Sequence, residues 1–268
     1  MTAMSRTQVN ELRQQILFAV EKLGDRDTAE NSATELQHLA RQLESDQSFH
    51  VLLHTLIEGL GNPHYAKHAF TRKYIMLVLG ALGAEFMPRL SRRHVSKLCA
   101  TFFRHIDDSD SHVREACADS FAAIAQSYTT EAAATVSGAA GEDAAPRGGK
   151  LALFLQFIFD TLGKDSKGAS RYAQIGAGLC LARLIARIPA TYVTPTLPRL
   201  CYKLEQHLSN RGCHAHTELL QATANLAEVC RDELCPHVPL GPVCKCLQVC
   251  DAACVYHPLC RALTHTLC

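Results

Sequence analysis

Residue types able to do chemistry are plentiful in this chain, and their spacing decides what they can do. Cys246, Cys250 and Cys254 recur every four residues. On a helix the outer two stand about 12 Å apart at ~1.5 Å per residue. One tetrahedral zinc holds its sulfurs only about 4 Å apart, with Zn–S near 2.3 Å, so that row does not share a metal. A break at Pro258 leaves Cys244, Cys246, His257 and Cys260 as the conceivable donor set. His64 and His68 have metalloprotease spacing, yet no glutamate lies between them and no third ligand is evident. His214 and His216, two apart, project from different faces of a helix. Gly141–Lys150, GEDAAPRGGK, approaches a phosphate loop but has Ala144 in place of the first glycine and Leu151 in place of Ser or Thr. No nucleophile elbow or Cys–His signature is readable. The expectation is a binding protein with no catalytic residues, no cofactor and no metal.

The segment that carries a definite local logic is LCATFFRHIDDSDSHVREACADSFAAIAQSY, Leu98–Tyr128. An apolar helix ends in Asp107-Asp108-Ser109-Asp110, and a second opens with Val113-Arg114. Asp108 or Asp110 is expected at the start of that second helix, where free amides and the helix dipole favour an anion. Arg114, in its first turn, is expected to bridge to a carboxylate of its own or the neighbouring unit. These three residues are assigned a structural role, as the lock of an inter-helix turn.

The same arrangement recurs. Leu23, Leu60, Ile106, Leu162, Leu208 and Leu247 each close an apolar helical pattern before a turn, at separations of 37, 46, 56, 46 and 39 residues. Most match the roughly 40–47-residue period of HEAT or armadillo units. Leu12, Ile16, Val20 and Leu23 form one helical stripe, and Val113, Cys117, Ser120 and Ile124 another. Thr28 or Asp27 is a candidate cap for the second helix of the first unit. Leu151–Leu162 is apolar nearly all round, as expected of a sandwiched helix, and Gly176, Ala177, Gly178 and Ala182 let neighbours approach its partner. The fold expected is an all-α HEAT/armadillo-like α-solenoid of about six helix pairs. It spans residues 6–268 as a single domain, with a flexible loop inserted at 129–149 where large apolar residues are missing. The last repeat, about 236–268, is expected to be atypical because Pro258 falls where its second helix should run.

Composition limits the partners. Of 268 residues, 27 are Lys or Arg and 26 Asp or Glu, a net charge of +1. That excludes a whole-domain basic field for nucleic acid. No apolar run reaches the ~20 residues that span a bilayer, so no membrane partner is expected. Arg6, Glu11 and Arg13 leave no room for a signal-peptide core, and a cytosolic protein is expected. Ten of the thirteen cysteines follow residue 200. Without export to an oxidising compartment, most are expected to be reduced, buried small hydrophobes.

Four stretches carry a family likeness: ELRQQILFAVEKLGDRDTAENSATELQHL, HIDDSDSHVREACADSFAAIA, LFLQFIFDTLGKDSKGASRYAQIGAGLCLARLI and LPRLCYKLEQHLSN. In order and spacing they resemble the N-terminal TOG-like domain of plant Tortifolia/Spiral-type microtubule-associated proteins, over about residues 9–230. The resemblance implies a curved array of helix pairs that binds tubulin or the microtubule lattice, in the cytoplasm, on the cytoskeleton. The chain reads CDAACVYH where the family's final turn carries a tryptophan and a basic residue, and it has no tryptophan elsewhere.

In a solenoid the turns align along one edge. Here they carry Arg26, Lys67, Lys164, Lys167, Arg171 and Arg211, the residues expected to face an acidic partner such as tubulin. A further basic cluster, Arg89, Arg92, Arg93 and Lys97, opens the third unit. The competing expectation is a cytosolic adaptor or scaffold that grips a different protein or peptide in its concave groove.

Overall fold

The computed structural model describes residues 4–136, 149–164 and 170–230, and every regular element among them is helical. In chain order these are α1 (Arg6–Lys22), α2 (Ala29–Gln42), α3 (Asp46–Gly61), the single turn α4 (Pro63–Ala66) and α5 (Ala69–Glu85). There follow α6 (Arg92–His105), α7 (Ser111–Val136), α8 (Gly149–Leu162), α9 (Arg171–Arg187), the short α10 (Ala190–Val193), α11 (Leu197–Leu208) and α12 (His216–Cys230). Short 3-10 turns at Met87–Arg89 and Thr194–Thr196 lead into α6 and α11. Two compact parts divide the chain within α7: Met1–Ile124 and Ala125–Cys268.

The helices start where serine can satisfy an exposed amide. Ser5, Ser45, Ser91 and Ser170 each accept from the third backbone N–H of the helix they cap. Ser5 and Ser91 do so reciprocally with Gln8 and His94. Each such cap contributes about 1 kcal/mol. Thr28, at the start of α2, behaves differently. Its hydroxyl donates backward to the Lys22 carbonyl at 2.8 Å, closing the α1–α2 turn without capping α2.

The five anchor residues Leu23, Leu60, Ile106, Leu162 and Leu208 are all buried. They sit at the ends of α1, α3, α6, α8 and α11, the first helices of successive pairs. The second helices are α2, α5, α7, α9 and α12. The sixth anchor, Leu247, lies outside the described residues. Packing follows α-solenoid logic within each compact part. In the first, α1 packs on α3 and α2 on α5; in the second, α9 packs on both α8 and α12.

Second helices approach one another closely. A Cβ at Gly80 of α5 would fall 2.4 Å from the Ser120 Cβ of α7, and one at Gly178 of α9 would fall 2.7 Å from the Glu218 Cβ of α12. Backbone-to-backbone proximity also supports buried side-chain links: the Ser120 hydroxyl donates to the Met76 carbonyl at 2.8 Å, and the Asn225 amide to the Ala182 carbonyl at 2.9 Å. Gly178 of α9 therefore serves the purpose expected of it.

Two expectations need adjustment. The segment 129–149 is not a loop throughout, because α7 runs on to Val136 and α8 opens at Gly149. Missing bulky residues remove a reason for burial, but alanine still favours helix, and Thr129 and Thr130 donate to carbonyls one turn back. Residues 137–148 lie outside the described set, as do the final repeat, Pro258 and the C-terminal cysteines. Second, α8 is not sandwiched on all sides. Ala152, Leu155, Gln156, Phe159 and Asp160 line a groove of about 270 Å³ against Arg199, Leu200 and Lys203 of α11.

The six cysteines among the described residues (Cys99, Cys117, Cys180, Cys201, Cys213 and Cys230) are buried. Burial pushes the Cys99 thiol up to about 12 and that of Cys201 to about 11, which leaves both protonated and unreactive at neutral pH.

A Gly80→Ala substitution should destabilise the protein by about 2 kcal/mol, since the new methyl meets Ser120 backbone as well as side chain. Gly61, where a Cβ meets nothing within 4 Å, is the control: Gly61→Ala should be neutral or stabilising by up to about 1 kcal/mol. Urea denaturation of the two variants measures both.

Candidate interaction surface at the helix–helix turns

The α6–α7 turn is built by its three aspartates in different ways. Asp110 caps α7, accepting from the backbone amides of His112 at 2.9 Å and Val113 at 3.2 Å. Asp108 accepts from the Asp110 amide at 3.0 Å, tightening the turn, and also forms a two-pronged ion pair with Arg72 of α5 at 2.7 and 2.9 Å. Asp107 is exposed. The Arg72–Asp108 pair is well shielded, with side chains 18% and 9% exposed. Burial alone would raise the Asp108 pKa. The hydrogen bonds from Arg72 and the Asp110 amide, with the charges of Arg72 and His105, outweigh it and hold the carboxyl below the usual range.

Arg114 reaches the backbone of this turn. Its Nη1 donates to the backbone carbonyls of Asp108 at 2.6 Å and Ser109 at 3.0 Å, six and five residues back. Geometry explains the contact: the buried end of the turn exposes carbonyls, and a guanidinium fork offers several donors. Arg72 does the same in its own turn, donating to the carbonyls of Ala66 at 2.8 Å and Lys67 at 3.5 Å, again six and five back. Arg72 and Arg114 are thus repeat equivalents, each the fourth residue of a second helix.

The fourth residue of α9 is Gln174. Its amide nitrogen donates to the Lys164 carbonyl in its own turn, and its amide oxygen accepts from the His214 N–H in the following turn, at 3.1 and 2.9 Å. Arg72 and Gln174 therefore perform one task with different chemistry. Each ties the turn of its own pair to the turn of the next. Sequence reasoning overlooked both, because the partner lies 36 or 40 residues away. The available signal was the shared fourth position.

Of the turn cations, Arg26 and Lys67 in the first compact part and Lys164, Arg171 and Arg211 in the second are exposed. None of these five forms an ion pair with a described residue. Lys167 lies outside the described residues. Local charge differs between turns: Arg26 is flanked by exposed Asp25 and Asp27, whereas 163–171 holds Lys164, Lys167 and Arg171 against Asp165 alone. The cluster at the start of α6 divides. Arg89 turns inward, paired with Asp46 at 3.0 Å, donating to the Leu43 carbonyl and lying 4.7 Å over the Phe49 ring. Arg92, Arg93 and Lys97 stay exposed.

Among the described residues no His, Cys, Asp or Glu group is arranged to hold a metal, and no helix is long and apolar enough to cross a membrane. His64 and His68 are both exposed.

Consecutive helix pairs, like stacked on like, with capped turns and a turn-to-turn bridge, define an α-helical repeat protein of the solenoid class. The chain belongs to the TORTIFOLIA1 N-terminal family, whose model matches residues 10–250. It is similar to the microtubule-associated protein TORTIFOLIA1 of Arabidopsis thaliana, with 27% identity over 220 residues, covering 82% of this chain and 23% of the relative. TORTIFOLIA1-like protein 1 of the same plant is 24% identical over 220 residues, or 82% of this chain and 25% of the relative. TORTIFOLIA1-like protein 4 is 28% identical over 221 residues, or 81% and 30%. The chain thus spans a quarter to a third of the length of these relatives.

The bridge has a measurable consequence. Asp108→Ala should cost about 2 kcal/mol, and a double-mutant cycle with Arg72→Ala should return a coupling of about 1 kcal/mol or more. Because the folded-state pKa of Asp108 is depressed, its stabilisation is complete above the unfolded aspartate value of about 3.9 and is lost as pH falls below it. Chemical denaturation between pH 7 and pH 3 should therefore show a steeper acid loss for the wild type than for Asp108→Ala.

Proposed function

We propose that the chain binds microtubules, or the tubulin that composes them, through exposed cations at its helix–helix turns, as a recognition surface without catalysis. The supporting observation is the set of turn cations left without acidic partners, in a family whose curated member is named a microtubule-associated protein. An acidic polymer surface is the natural complement of such turns. Exposed charges of this kind act over roughly 10 Å at 0.1 M salt, so they steer the encounter and hold it in a salt-sensitive way.

The local charge balance ranks the turns. Lys164, Lys167, Arg171 and Arg211, all in the second compact part, are the strongest contributors. Lys67 adds a single charge. Arg26, between two aspartates, contributes least, and the α6–α7 turn with Asp107 is a poor match to an acidic partner. The corresponding setting is the cytoplasm, on the microtubule cytoskeleton.

The test is co-sedimentation with stabilised microtubules. Replacing Lys164, Arg171 and Arg211 together by Glu should weaken pelleting at least tenfold at low salt, as about 0.5–1 kcal/mol per exposed charge pair implies. Arg26→Glu alone should change it little. Unaltered pelleting of the triple variant would remove the turn cations from the binding surface.

A further inference from the structure

The exposed face of α6 carries a second charged surface, made of residues other than the turn cations. At about 100° per residue, Arg93, Lys97 and Arg104 fall in a stripe about 40° wide, on the side opposite buried Val95, Leu98 and Phe102. All three cations are exposed, as are Arg92, Ser96 and Ala100 around them. The helix RRHVSKLCATFFRH contains no acid. Of the neighbouring acids, Asp46 is committed to Arg89, Glu85 to Arg41 and Asp108 to Arg72, while Asp107 stands exposed just past the C-terminal end of the stripe. None of Arg92, Arg93, Lys97 and Arg104 makes an ion pair with a described residue. The concentration of charge is felt locally. His94 titrates below its usual range through partial burial, then through the charges of His50, Arg93 and Lys97.

We propose that this stripe is a docking surface for an extended acidic peptide, a run of consecutive Glu or Asp. Spacing supports the match. Arg93 and Lys97 are about 6 Å apart along the helix at ~1.5 Å per residue, close to the roughly 6.8 Å between alternate side chains of an extended chain. Arg93 to Arg104 is about 16.5 Å, the length of about five extended residues at ~3.3 Å each. A run of about six carboxylates is long enough to span all three cations.

Other anionic partners fit less well. The stripe has no large apolar residue with which to enter a bilayer interface. It has no exposed aromatic on which a nucleobase could stack, and the net charge of +1 gives no wide positive field. This surface is independent of the turn cations, so either can fail without the other.

The experiment is fluorescence anisotropy of a labelled ten-residue polyglutamate peptide with the full 268-residue chain at low salt. Arg93→Glu, Lys97→Glu and Arg104→Glu combined should weaken binding at least tenfold, and the Arg93→Gln, Lys97→Gln, Arg104→Gln variant by a smaller factor. Circular dichroism melting confirms that each variant folds, and the glutamine variant serves alone if the glutamate one does not. The Lys164→Glu, Arg171→Glu, Arg211→Glu variant should bind the peptide as the wild type does. Unchanged affinity in the stripe variants, or an equal loss in the turn variant, overturns the proposal. So does tighter binding of phosphatidylserine vesicles or of single-stranded polythymidylate than of the peptide.

Discussion

Within each compact part the placement of consecutive turns depends on one bridging interaction, the link from the fourth residue of a second helix to the turn of the next pair. A turn between two packed helices leaves backbone carbonyls and amides with no helical partner, and burying them unpaired is costly. Arg72 meets carbonyls of its own turn and both oxygens of Asp108 in the next. Gln174 reaches a carbonyl of its own turn and an amide of the next. The charged version is stronger and pH-sensitive, the amide version neutral and pH-independent. Both fix the spacing of consecutive turns, and so the spacing of whatever those turns display.

Behind the turns the two layers of helices divide the labour. The second helices are the tight layer, where Gly80 and Gly178 admit a neighbouring backbone and Ser120 and Asn225 hydrogen-bond across to it. The first helices also pack on one another, α1 on α3 among them. Their outer faces are open to solvent, as the Arg93–Lys97–Arg104 stripe of α6 and the groove between α8 and α11 illustrate. A protein built this way can vary its outer faces more freely than its turns, because the turns are held by residues of the close-packed layer.

Much of this was legible in the amino-acid order. The apolar anchors at Leu23, Leu60, Ile106, Leu162 and Leu208 marked the ends of first helices because a large residue must fill the space where the chain reverses. The cap of α7 was readable as Asp108 or Asp110 from their positions, and Asp110 fills it. Arg72 was not, since its partner is one repeat away and the equivalence with Arg114 appears only when second helices are aligned on their fourth residues. The helical extension of α7 to Val136 was missed because amphipathic patterning measures burial, whereas alanine propensity acts without it. Among the cations, Arg26, Lys67, Lys164, Arg171 and Arg211 are exposed, but Arg89 could not be distinguished from Arg92 and Arg93 without seeing Asp46 and Phe49 around it.

The central claim is that the turns of the second compact part contact the microtubule. Hydrogen–deuterium exchange of the chain, alone and bound to stabilised microtubules, tests it most directly. Binding should slow exchange of the amides at 163–171 and 209–215, while those of α9, already held within its own packed layer, should change little. Bound protein with unaltered exchange at both turns would contradict the claim.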